Sequence, residues 1–162
     1  MSTVTNSEDV CVRIESWVSF LRAHSAITRQ LNADLLTEHG LTLNDYEVLL
    51  CLAGAPDGML RRVDLAQTVI LTASGITRLL DGLERAGYVE KARCESDARV
   101  SYAKLTAEGR TKLEAASATH RTGIAELFVD RFTDDERETL AELLGRLPQT
   151  GNGKACGNAC AA

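Results

Sequence analysis

No apolar run in this chain approaches the roughly 20 residues that span a bilayer; the least polar stretch, Val48 to Pro56, is less than half that length. The N-terminal segment MSTVTNSEDV carries two acids and no base, so neither a membrane span nor a secretory signal is expected. The five cysteines, Cys11, Cys51, Cys94, Cys156 and Cys160, are too few and too irregular for a disulfide framework, and an odd count leaves one unpaired. A reducing cytoplasm is the natural setting. The three histidines, His24, His39 and His120, are scattered, no serine sits in G-x-S-x-G, and no glycine run follows a strand. Hydrolases and nucleotide-binding enzymes therefore lack their minimum parts, and no enzyme activity or cofactor is expected. Cys156 and Cys160 lack zinc-finger spacing and nearby histidines, so no metal is expected either.

What is present suits one globular domain: 162 residues, 44% hydrophobic and 25% charged. The net charge of -5 excludes a uniformly basic coat, but the signs are segregated. Residues 61–112 hold 10 basic and 7 acidic residues, net +3, which leaves net -8 on the remainder. A basic middle in an acidic frame suits one face for an anionic partner.

Apolar residues at three- and four-residue steps from Val12 to Leu36 predict a long first helix. Thr42 can cap a second helix, ended by Pro56-Asp57-Gly58. A short third helix is expected near Arg62 to Val69, and a fourth carries Ile76, Leu79, Leu80 and Leu83 up to a stop at Gly87. Val89 to Arg93 and Val100 to Leu105 shift to a two-residue period around a polar turn, predicting a β-hairpin. A fifth helix should run from Thr106 to about Phe132. Thr133-Asp134-Asp135-Glu136 is a capping box for a last helix striped by Leu140, Leu143, Leu144 and Leu147 and stopped by Pro148. Residues 149–162 have little to bury and predict a flexible tail.

The segment from Asp64 to Val89 has the form of a helix-turn-helix, in which a short helix crosses the DNA backbone and a second enters the major groove. Ile76, Leu79, Leu80 and Leu83 take the inner flank and leave Ser74, Thr77, Arg78, Asp81 and Arg85 outside. Thr72 can cap this helix, and Gly75 lets backbone amides approach a phosphate at the positive end of the dipole. Arg78 is the candidate base reader, since its fork spans O6 and N7 of guanine. A β-ribbon directly after such a helix makes a wing whose tip can place an arginine in the minor groove. Lys91, Arg93, Arg99 and Lys104 supply its charge, with Arg99 at the tip and Asp97 holding the turn or orienting the guanidinium. An ordinary solvated helix and a solvated charge cluster are the alternatives.

The run SGITRLLDGLERAGYVEKARCESDARVSYAKLTAEGR closely resembles the recognition helix, wing and following helix of the MarR family of bacterial transcription regulators. The resemblance rests on S-G-x-T-R-L-x-D-x-L-E-x-x-G at Ser74 to Gly87, and on D-x-R followed by L-T at Asp97, Arg99, Leu105 and Thr106. It implies a mainly α fold with a small β-hairpin wing. Residues 42–106 would form the winged helix-turn-helix DNA-binding region, and 10–40 with 107–148 a helical dimerisation region drawn from both termini, all in one domain over 1–162. It also implies a homodimer that grips a palindromic operator on double-stranded DNA and represses transcription until a small phenolic or lipophilic compound, or an oxidant, changes the wing spacing. Ala98 stands where many relatives carry a second wing arginine.

An effector pocket is expected where the first helix meets the second and the winged region, with Trp17, Phe20, His24 and Tyr46 offering rings and polar tips. The alternative makes Trp17 and Phe20 dimer core. Peroxide-sensing relatives hold a reactive cysteine in the first helix at a place that falls near Val18 here, and no cysteine is there. Cys51 reads as a core residue. Cys11 and Cys94 are the thiol candidates, the latter beside Arg93, where positive charge favours the thiolate. A winged helix used only for protein contacts is the rival from another class.

Overall fold

The computed structural model describes residues 7–69, 73–93 and 101–148. A long helix α1 (Ser7–His39) is followed by α2 (Leu43–Gly54), a short strand β1 (Met59–Arg61), α3 (Arg62–Thr68) and α4 (Ala73–Arg85). Strands β2 (Val89–Arg93) and β3 (Ser101–Leu105) then lead into α5 (Ala107–Leu127) and α6 (Asp134–Gly145). The fold is mainly helical with one small antiparallel sheet.

The helix ends follow local chemistry. Gly40, at φ 64°, closes α1 with its N–H on the Leu36 carbonyl at 3.0 Å, the left-handed cap that glycine adopts at least cost. Thr42 and Asp45 form a capping box on α2, and the Asn32 side chain of α1 accepts the Leu43 N–H at 2.9 Å. One residue of α1 thereby satisfies an orphan donor of α2 and ties the two helices together. Gly87, at φ 79°, ends α4 in a Schellman motif: Gly87 N–H donates to Glu84 O and Tyr88 N–H to Leu83 O.

The sheet order is β1-β3-β2, with Val89 opposite Leu105 and Met59 opposite Lys104. The hairpin is therefore a three-stranded sheet. A strand of only three residues shows no alternation that a sequence could reveal, and pairing with β3 creates it. The fifth helix also ends earlier than its periodicity suggests. Leu127 is its last residue, and a 3-10 turn over Val129–Arg131 replaces its expected final turn. Two arginines hold that turn: Arg131 Nε donates to the Glu126 carbonyl, and Arg137 Nη1 to the carbonyls of Val129 and Phe132. Thr133 then caps α6 with Glu136, whose carboxyl the Thr133 N–H holds below the usual range.

The core gathers Leu35 and Leu41, Tyr46, Val48, Leu49 and Leu52 of α2, Leu65 of α3, Ile76, Leu80 and Leu83 of α4, Val89, Ala103 and Leu105 of the sheet, and Leu113 and Ala116 of α5. Cys51 lies in it, as the sequence suggests. Cys51 is also disulfide-bonded, a bridge that the irregular cysteine spacing does not announce. Gly123 of α5 lets α1 approach closely, since a Cβ there would stand 2.7 Å from Leu31 Cδ2. Among the described side chains, residues 14–23 of α1 and all of α6 contribute nothing to this core. Among the described residues no helix is long and apolar enough to cross a membrane.

The junction of α1, α2 and α5 is polar. His39 Nε2 and Thr119 Oγ1 lie 2.8 Å apart, and that hydroxyl donates to Glu38 Oε2 at 2.7 Å, so Nε2 is the protonated nitrogen of His39. Tyr46 lies 3.3 Å from the Ser117 hydroxyl and packs its ring, tilted by 43°, against His120 at 4.4 Å between ring centres. Burial holds the His120 pKa below the ordinary 6.5, and its Nδ1 is enclosed with no hydrogen-bond partner among the described residues. As pH falls through about 6.5 the unfolded chain takes up this proton before the folded one does. Stability is therefore expected to drop as pH falls below that point. The drop should be shallower in His120→Phe, which keeps a ring against Tyr46 and cannot titrate, when urea midpoints are compared between pH 7.5 and 5.5. Equal pH dependence in both proteins would show that His120 is not the group responsible.

Candidate nucleic-acid interface

Helix α4 is sharply two-sided. Ile76, Leu80 and Leu83 are buried against α2 and α3, while Thr77, Arg78 and Arg85 are exposed. The i, i+4, i+7 spacing places the three apolar residues on one stripe, so Arg78 must project from the opposite face. Gly75 is half-buried at the start of the helix. Ser74 lies on the same helix and Arg93 at the end of β2, but their side chains are outside the described set. Thr72, Cys94, Asp97 and Arg99 lie outside the described residues, as does the tail.

The wing strands carry less free charge than the sequence suggests. Lys104 pairs with Glu90 at 3.1 Å across the β2–β3 ladder, and Lys91 pairs with Glu84 of α4 at 2.9 Å. Glu84 also takes Arg62 of α3 at 2.5 Å, and this pair is largely shielded from solvent. The sequence carries no signal for it, since the partners are 22 residues apart and no helical spacing relates them.

Behind α4, the turn into the wing is clamped to α5. Thr106 donates its N–H to the Tyr88 carbonyl and its hydroxyl to the Gly87 carbonyl, and the same hydroxyl caps α5 by accepting the Gly109 N–H. Helix, wing and the following helix therefore meet at one hydrogen-bonded knot.

A helix with an exposed arginine face, set after a short helix and before a β-ribbon, is the arrangement of a winged helix-turn-helix. A model of the MarR family matches residues 39–100, which run from the end of α1 into the wing. The HTH-type transcriptional repressor YetL of Bacillus subtilis is 32% identical over 108 residues, covering 67% of this chain and 64% of that protein. Among solved structures, the Streptomyces coelicolor MarR family regulator Sco3205, in complex with DNA, superposes with a TM-score of 0.77 at 28% identity, over 89% of this chain and 94% of that one. AbsC, another MarR family regulator from Streptomyces coelicolor, gives 0.76 at 27% identity over 88% and 93%. The chain belongs to the MarR family. The relatives named are transcription regulators and not enzymes.

In this MarR protein the four aromatic and histidine candidates do not share one place. Trp17, Phe20 and His24 follow one another along α1, with ring centres 6.2 and 6.3 Å apart. They line an apolar groove of about 980 Å³ between α1, the end of α5 and α6, closed on the far side by Leu140, Leu143 and Leu147. Tyr46 is buried in the core and is not part of that groove. It occupies the polar junction with His120 and Ser117 instead, because α2 turns its tyrosine inward at the same phase as Leu49. Cys11 lies on α1, and its side chain is outside the described set.

Proposed function

We propose that this chain is a transcription regulator that binds double-stranded DNA, a repressor that grips a palindromic operator as a homodimer in the cytoplasm, associated with the nucleoid. The observation that carries the proposal is the exposed face of α4, with Thr77 and Arg78 opposite a fully anchored flank, beside a β-ribbon. Arg78 would read a base in the major groove, Thr72, Ser74, Gly75 and Thr77 would hold phosphates, and Arg93, Asp97 and Arg99 would serve the wing. DNA-bound Sco3205 and the repressor name of YetL support it.

The homodimer is supported by the apolar face left outside the core. Trp17, at 57% exposure, Ile14, Phe20, Leu21, Leu143 and Leu147 all lie on α1 and α6 or just beyond, a contiguous surface of the kind that marks an interface. We assign 10–40 and 107–148 to dimerisation and 42–106 to DNA binding. The partner's helices would roof the groove at Trp17, Phe20 and His24, and a small aromatic or lipophilic effector lodged there would change the separation of two recognition helices that must meet major grooves about 34–36 Å apart.

The test uses the parent protein to select duplexes from a random-sequence pool. Enrichment of an inverted repeat, with light scattering near twice 17.5 kDa, is the expected result. Arg78→Ala should lose about 1–3 kcal/mol on the selected duplex and relax preference at one position per half-site. A parent that enriches no duplex would instead be a winged helix for protein contacts.

A further inference from the structure

Glu84 is the one acid among the described residues that joins three parts of the winged region. Its Oε1 accepts Arg62 Nη2 of α3 at 2.5 Å, and its Oε2 accepts Lys91 Nζ of β2 at 2.9 Å. The side chains of Arg62 and Glu84 are only 19% and 16% exposed, whereas Lys91 is 58% exposed and also lies 3.9 Å from Asp81. Arg62 Nε is enclosed without a hydrogen-bond partner among the described residues, so the guanidinium is held chiefly by Glu84.

A shielded carboxylate whose two oxygens serve two different elements restrains both directions at once, because moving either cation leaves charge uncompensated in a weakly solvated place. Glu84 sits on the last turn of α4, after the face that carries Arg78, and Lys91 sits on the strand that leads to the wing tip. We propose that Glu84 is a positioning residue: it fixes the angle between α4 and the β2–β3 wing, and so lets a major-groove contact and a minor-groove contact be made together. The proposal rests on the DNA-binding function proposed above.

Charge and geometry predict opposite signs here, which makes the experiment decisive. Removing an acid from a DNA-facing region should tighten binding to any duplex if charge alone matters. Loss of positioning weakens only the duplex that needs both contacts, since small misplacement of preorganised groups costs about tenfold to hundredfold. Glu84→Gln keeps the size and one acceptor oxygen. Its affinity is measured on a duplex selected by the parent protein and on a scrambled duplex of equal length, with thermal unfolding in parallel. The expected result is about a tenfold or greater loss on the selected duplex, with unchanged or tighter binding to the scrambled one. Equal losses on both duplexes would mean a merely structural role, and tighter binding to both would mean a charge effect; either overturns the proposal.

Lys91→Gln repeats the test from an exposed position where folding is not at stake. It should weaken the selected duplex while leaving the slope of log affinity against log salt unchanged. A slope reduced by about one would show Lys91 on a phosphate and overturn the proposal. A parent that enriches no duplex at all overturns the DNA-binding function itself, whereas enrichment with an unmoved ratio in both variants overturns only the role of Glu84.

Discussion

Gly109→Ala is expected to destabilise the protein by about 3 kcal/mol or more, at the upper end of what overpacking does. A Cβ at Gly109 would stand 2.1 Å from the Tyr88 carbonyl oxygen and 2.8 Å from Leu105 Cδ1. The Tyr88 carbonyl has no room to retreat, because it accepts the Thr106 N–H at 3.1 Å while Thr106 also holds the Gly87 carbonyl at 2.7 Å. Relief would require α5 to move off the turn that leads into the wing. Gly82→Ala is the matched control: it lies inside α4 with nothing within 4 Å of an added Cβ, so alanine should stabilise by up to about 1 kcal/mol through helix propensity. Urea unfolding at one fixed protein concentration checks both. A Gly109→Ala protein as stable as the parent would contradict the close approach of α5 to Tyr88.

Leu80→Ala should cost about 2–5 kcal/mol. Leu80 is fully buried on the flank of α4 that anchors it to α2 and α3, and truncation leaves a void in the core beside Ile76 and Leu83 that a closely packed interior fills poorly. Two residues earlier on the same helix, Arg78 is exposed, so Arg78→Ala should leave the urea midpoint within about 0.5 kcal/mol of the parent. The pair separates anchoring from recognition: a fallen midpoint with an unchanged slope is expected for Leu80→Ala alone. Equal stability of the two variants would mean that the inner and outer flanks of α4 are wrongly assigned.

Much of this fold is legible in the residues because the signals are local. The Thr42 and Thr133 caps, the left-handed Gly87 and the stripe of Ile76, Leu80 and Leu83 each depend on neighbours within one or two helical turns, and each is found where its chemistry places it. The features that escaped depend on distant partners. Strand β1 exists by pairing with β3, more than 40 residues later, and the 3-10 turn that follows α5 is held by Arg137 of the next helix, whose Nη1 donates to the carbonyls of Val129 and Phe132. Tyr46 offered a ring and a hydroxyl that looked available for a ligand, but α5 supplies Ser117 and His120 to meet them. The Glu84–Arg62 pair likewise depends on partners 22 residues apart, and only their meeting across α3 and α4 shields both from most solvent.

The unshared apolar face of α1 and α6 has a thermodynamic consequence. In the homodimer proposed above, much of each chain's burial is completed by its twin, so folding becomes bimolecular and stability acquires a dependence on protein concentration. Each tenfold dilution then removes about 1.4 kcal/mol from the dimer. Growth that outpaces synthesis would loosen the protein's structure along with its occupancy on DNA, and a short-lived monomer would present Trp17 and Leu143 to cellular proteases.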